Sequence, residues 1–278
     1  NSIRARGEHQ MADQTPSGQA AGPHDGGPHD GGQFELPASL AAAWGLRERP
    51  GKGPKRGLSL DQIVRAGIKV ATADGLAAVS MSRVAAELGV GTMSLYRYVA
   101  SKGELLDLMV DTGLGPPPAA DPGAPWRDGL AHWAWTQLGV FRDHLWAVQV
   151  PISGPPATPN ALQWLEQALA CMRGTGLDES QKMSVILLLS AYVRSQAGLE
   201  AQIDAAVRAA GSTAMEAMAS YGKLLAALLD PLRFPELSAV SAAGVMDKAD
   251  PWDVEFSFGL ERILDGVDVL IRGAGGKD

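Results

Sequence analysis

Cysteine is almost missing from this 278-residue chain: Cys171 is the single one. No intrachain disulfide can form, which fits a reducing cytoplasm. No apolar run approaches the ~20 residues a membrane span needs, and no apolar signal segment opens the chain. A phosphate-binding P-loop, a glycine-rich dinucleotide turn, His-x-x-x-His or Cys-x-x-Cys spacing and a Gly-x-Ser-x-Gly elbow are all missing. We therefore expect no enzyme, no metal and no cofactor. Alternating apolar and polar stretches of useful length are missing too, which leaves an all-α reading.

What is present is a strong charge asymmetry beneath a net charge of −7. Residues 47–102 carry 10 basic and 4 acidic side chains, whereas 103–278 carry 12 basic and 22 acidic. A basic segment beside an acidic body suits a nucleic-acid reader joined to a separate sensing domain.

Residues 1–35 are rich in Gly, Pro, His, Asp and Gln, with the imperfect repeat PHDGGPHDGG at 23–32. That composition buries too little apolar surface to offset chain entropy, so disorder is expected, with His24 and His29 solvated. Residues 36–57 read as a short helix, docked through Leu40 and Trp44, followed by the basic arm RERPGKGPKRG. Lys55 and Arg56 of that arm are phosphate or minor-groove candidates; a solvated linker is the plain alternative.

Residues 58–113 form the next unit. Ser59-x-x-Gln62 is a capping box opening a helix that Asp74-Gly75 ends. Ser80 caps a second helix, stopped by Gly89. A third runs from Thr92 to Val99, and Ser101-x-x-Glu104 opens a fourth. On the third helix Leu95 and Val99 are four apart and point inward. Thr92, Met93, Ser94, Tyr96 and Arg97 then face out, on a rod about 12 Å long that matches the major groove. Thr92 and Ser94 suit base edges, Met93 a thymine methyl and Arg97 a phosphate. Tyr96, Tyr98 and Lys102 are phosphate-clamp candidates. Ser80 and Ser82, beside free helix-start amides, are phosphate candidates as well.

The block Val84-Ala85-x-x-Leu88-Gly89-Val90, followed by Leu95-Tyr96-x-Tyr98-Val99-x-x-Lys102 and Gly103-Glu104-Leu105-Leu106, resembles the N-terminal domain of the TetR family of bacterial transcriptional regulators. The resemblance implies a homodimer that binds a palindromic double-stranded DNA operator. It also implies a helical C-terminal domain that takes a small-molecule effector and holds a two-helix dimer face. The last helix looks like the terminal dimerisation helix of the tetracycline-repressor-like subgroup, with Phe256, Leu260, Ile263, Leu264, Val267 and Leu270 roughly on one face. A plain core helix is the alternative there.

The proline-rich run at 114–125 marks a linker, and 126–278 reads as the helical ligand-binding and dimerisation domain. Its aromatic stretch offers Trp126, His132, Trp133, Gln137, Phe141 and His144 to a pocket; Trp164, Met172, Met183, Tyr192 and Gln196 follow on later helices. His132 and His144 stand twelve apart, roughly 120° round a helix, so they do not form a pair. Cys171 is expected to be an inert buried thiol. The overall expectation is a cytoplasmic repressor released by a small, largely apolar or aromatic molecule. The alternative is a small-molecule-binding or interaction protein without operator binding.

Overall fold

A computed structural model describes residues 36–46, 57–245 and 251–275. The expected disorder of 1–35, the histidines within it and the arm with Lys55 and Arg56 lie outside the described residues. Among those described, every regular element is a helix. None is long and apolar enough to cross a membrane.

The head is built from α2 (Leu60–Asp74), α3 (Met81–Glu87), α4 (Thr92–Leu95) and α5 (Lys102–Leu114), preceded by the short α1 (Ala38–Ala43). Ser59 and Gln62 exchange bonds as a reciprocal capping box on α2. Gly75, at φ 82°, takes the left-handed conformation that lets the chain leave it. Ile63, Val70, Val84, Leu95, Leu105 and Met109 fill the space between these helices. At the crossing of α2 and α5 the chain is tight: a Cβ on Gly67 would stand 2.6 Å from Met109 Sδ, so the methionine side chain would have to shift.

The body comprises α6 (Trp126–Asp143), α7 (Pro159–Cys171), α8 (Glu179–Ala209), α9 (Ala214–Leu228), α10 (Pro235–Ala242) and α11 (Trp252–Ala274). Its core is Leu130, Trp133, Leu138, Trp164, Met172, Leu189, Phe256, Leu260 and Leu264. At 31 residues α8 spans about 46 Å. It runs through Gly198 without a break, because its neighbours hold that turn in place: Ala197 is buried, and Glu200 is clamped by Arg142 through bonds of 2.8 and 3.0 Å.

Two expectations are corrected here. The third helix of the head was expected over Thr92–Val99 but α4 closes at Leu95, and Tyr96–Tyr98 form a tight turn with Tyr98 N–H bonded to the Leu95 carbonyl at 2.8 Å. The turn is a tightened continuation of α4: Val99 N–H bonds the same Leu95 carbonyl at 3.0 Å, so Leu95 and Val99 are both buried, as their spacing of four requires, before Ser101 caps α5. In the last helix, Phe256, Leu260, Leu264 and Val267 are at most 4% exposed within one chain. They are consumed by packing inside their own subunit and are not free to meet a second copy. The apolar side chains of α11 that do face out are Val254, Phe258, Val269 and Leu270. Leu270, from the expected set, belongs to that outer group, while Ile263 is half-buried against the core.

Candidate functional site

The reading unit depends on how α3 ends. Val90 N–H bonds the Ala85 carbonyl at 3.0 Å and Gly89 N–H bonds that of Ala86 at 3.1 Å, the pair of bonds that closes a helix through a left-handed glycine. Gly89 has φ 66°. This tight stop turns the chain sharply into α4. Met93 is 77% exposed and Tyr96 45% exposed. Arg97 and Lys102 are also open to solvent, whereas Thr92, Ser94 and Tyr98 are half-buried. Ser80 Oγ accepts from Arg83 N–H at 3.1 Å and lies 3.1 Å from Ser82 Oγ. Both hydroxyls therefore cluster at the N-terminus of α3.

Charge on the head is sorted by position. Arg65 pairs with Asp61 at 2.9 Å, Lys69 with Glu87 at 2.6 Å, and Arg83 with Asp74 at 3.1 Å and Glu87 at 3.3 Å. The Lys69 ammonium holds the Glu87 carboxyl below its ordinary range. Arg97 and Lys102, by contrast, enter no ion pair among the described residues. Arg65, Lys69 and Arg83, on α2 and α3, are thus paired, whereas Arg97 and Lys102 beside α4 enter no ion pair among the described residues, as suits phosphate-contacting cations.

The aromatic stripe of the body is differently disposed from the expectation. Trp133, Gln137 and Phe141 do share the inner face of α6 and are at most 8% exposed. Trp133 Nε1 donates to the Trp164 carbonyl and Trp164 Nε1 to the Gly115 carbonyl, both at 3.0 Å. The two indoles meet edge to face. Met172 is fully buried. Tyr192 stacks on Phe256 and donates its hydroxyl to the Phe256 carbonyl at 2.9 Å. Trp126 and Gln196 are half-buried, and His132 is exposed. His132, and Met183 at 45% exposure, face away from the interior, so these two do not join the stripe. Helical phase explains His132: it precedes the inward Trp133 by one position, about 100° round the helix. Among the described residues, four buried polar side-chain atoms nevertheless find no partner within the protein: Gln137 Oε1, His144 Nδ1 and Trp146 Nε1 on or just after α6, and Ser238 Oγ on α10.

A cavity of about 620 Å³ opens elsewhere, where α1, α5, the 150–158 loop and Arg194 of α8 meet. None of the eleven expected pocket residues lines it. It sits between the head and the body, with α5 as shared wall. Asp111 on α5 accepts from Asn160 N–H at 2.9 Å and Ala161 N–H at 3.0 Å, capping α7 from across the junction. Trp44, just after α1, donates to the Ala157 carbonyl at 2.9 Å; Ser39 of α1 donates to Glu104. The docking of α1 by way of Trp44 agrees with the sequence. Arg194 was missed by sequence reasoning. Its signal was an arginine ending the apolar run MSVILLLSAYV at 183–193.

A two-helix reading unit clamped between supporting helices, joined to a larger helical body, defines a helix-turn-helix regulator with a sensing domain. The chain belongs to the TetR family of bacterial transcriptional regulators. Residues 63–109 match the family described as "Bacterial regulatory proteins, tetR family" and residues 117–271 match "Tetracyclin repressor-like, C-terminal domain". The HTH-type transcriptional repressor DrrR1 of Streptomyces coeruleorubidus is 39% identical, over 85% of this chain and 87% of that one. Among solved structures, apo ActR of Streptomyces coelicolor is similar at a TM-score of 0.64 and 30% identity, covering 80% of this chain and 99% of that one. ActR in complex with actinorhodin gives 0.63 and 29%, covering 79% and 100%.

Proposed function

We propose that this protein is a cytoplasmic, non-enzymatic repressor that binds a palindromic operator as a homodimer and is released by a small, largely apolar or aromatic molecule. The observation that carries the reading is the charge sorting on the head, which leaves Arg97 and Lys102 uncompensated beside an exposed Met93. In this account residues 58–113 are the reading domain, 114–125 the linker and 126–278 the sensing and dimerising domain. Thr92, Met93 and Ser94 read bases; Ser80, Ser82, Tyr96, Arg97, Tyr98 and Lys102 hold phosphates. DrrR1 is named a repressor, and ActR has been seen with actinorhodin bound; both support carrying these roles over.

The dimer face is assigned to the outer sides of α8 and α11. Leu187 is 72% exposed, Phe258 63% and Val269 66%, large apolar side chains that these two helices leave bare and that a second copy would cover. Two such helices from each copy, related by a two-fold axis, make a self-complementary four-helix bundle. Capture of genomic duplex fragments on the purified protein, followed by sequencing, tests the reading. A palindromic consensus is expected, and a Phe258→Glu variant should sediment as a monomer and lose it. Random fragments, or a variant that remains dimeric and selective, would refute operator binding or this dimer face respectively.

A further inference from the structure

Among the described residues the cavity between head and body has one cation in its wall, and that cation has no ion-pair partner among them. Arg194 Nη2 donates to the Val148 carbonyl at 3.0 Å and also to that of Val150. Both acceptors are neutral, and no carboxylate pairs with this guanidinium among the described residues. Burial disfavours its charged form, and no opposite charge compensates. Three carboxylates also line the cavity, but each is already engaged. Asp111 caps α7. Glu104 accepts from Ala100 N–H and the Ser39 hydroxyl at the start of α5. Asp107 accepts from Ser153 at 2.9 Å. The first two sit against helix N-termini, whose partial positive charge offsets them. What remains for a guest is an apolar wall that includes Leu40, Leu108 and Leu114, plus one unanswered guanidinium.

We propose that this cavity binds an organic acid with an apolar, ring-sized body, its anionic group seated on Arg194 and its body under α1. The volume of about 620 Å³ suits a drug-sized molecule, and a guanidinium is the side chain best shaped to hold a carboxylate or sulfonate. The inference rests on the effector-responsive reading above and supplies the chemical class of the effector. It also explains the position of α1: Ser39 ties it to the head helix α5 through Glu104, and Trp44 ties its end to the body loop. A guest beneath it therefore touches both sides of the junction that must shift for the head to let go of DNA.

Two fluorescent probes separate the anion site from simple apolar binding: 8-anilinonaphthalene-1-sulfonate, which is anionic, and N-phenyl-1-naphthylamine, which has the same rings and no charge. The full chain, Arg194→Gln and Arg194→Lys are titrated with each. The glutamine variant should lose on the order of tenfold or more in affinity for the sulfonate, keep its affinity for the amine within about twofold, and be rescued largely by lysine. Equal loss of both probes would mean that Arg194 only holds the 148–150 backbone, and would overturn the proposal. So would unchanged sulfonate affinity in the glutamine variant, or no sulfonate binding by the full chain. Retention of operator duplex without any probe is measured on the same samples, so failure of the regulator reading registers separately.

Discussion

Tyr192 lies directly over Gly259: a Cβ at 259 would stand 2.2 Å from the tyrosine hydroxyl and 2.6 Å from Cζ. The ring has little room to yield, because it stacks on Phe256 with centroids 5.3 Å apart and its hydroxyl is bonded to the Phe256 carbonyl. Gly259→Ala is expected to destabilise the protein by about 1–3 kcal/mol, read as a lower denaturation midpoint. The same change in a Tyr192→Leu background should cost much less. Equal costs in both backgrounds would show that the clash is relieved elsewhere.

Asp111 is a polar link between head and body. Its carboxylate takes two α7 amides and the Asn160 side chain, the last at 3.1 Å. Asp111→Ala leaves those amides without partners in a part-buried place, at about 1–3 kcal/mol. Hydrogen exchange should accelerate at Asn160 and Ala161 before it does in the middle of α8. Unchanged protection at those two amides would remove the capping role.

The docking of α6 on α11 should weaken in acid. Arg262 and then Arg127 hold the Asp265 carboxyl below its ordinary range, so its folded-state pKa is the lower one. Its contribution is present above the unfolded carboxylate value of ~3.9 and is lost as pH falls through the folded value. Asp265→Asn should therefore flatten the acid limb of a stability-versus-pH curve. An acid limb identical to that of the unaltered protein would place the pH dependence elsewhere.

On the head, changes at Thr92 or Met93 should alter preference between operator sequences, whereas changes at Arg97, Tyr98 or Lys102 should weaken all duplexes alike. Competition binding against a panel of single-base operator variants reads this. A uniform loss for Met93→Ala would contradict its placement on bases.

The head was legible because its signals are local. Ser59, Ser80 and Ser101 before helices, and Gly75 and Gly89 after them, act within four residues of sequence. The inward pair Leu95 and Val99 was legible from its spacing of four, whereas the tightening at Tyr96–Tyr98 that ends α4 was not, because no glycine or proline marks it. Which side of α11 faces out was not legible either. The apolar stripe of α11 is two-sided, and periodicity alone does not say that Phe256 packs inside while Phe258 faces out. The cavity was illegible for a third reason: its wall joins Leu40, Asp111 and Arg194, residues brought together by tertiary packing alone. The tryptophan cluster, read as a pocket lining, supplies core instead at Trp133 and Trp164, which spend both indole N–H groups on backbone carbonyls.

The salt dependence of binding to a duplex from the protein's own upstream region tests the central claim most directly. The account predicts retention at low salt and a steep linear fall of log affinity with log salt, the slope shrinking by about one for each of Arg97→Ala and Lys102→Ala. No retained duplex at low salt, or a slope indifferent to both substitutions, would contradict it.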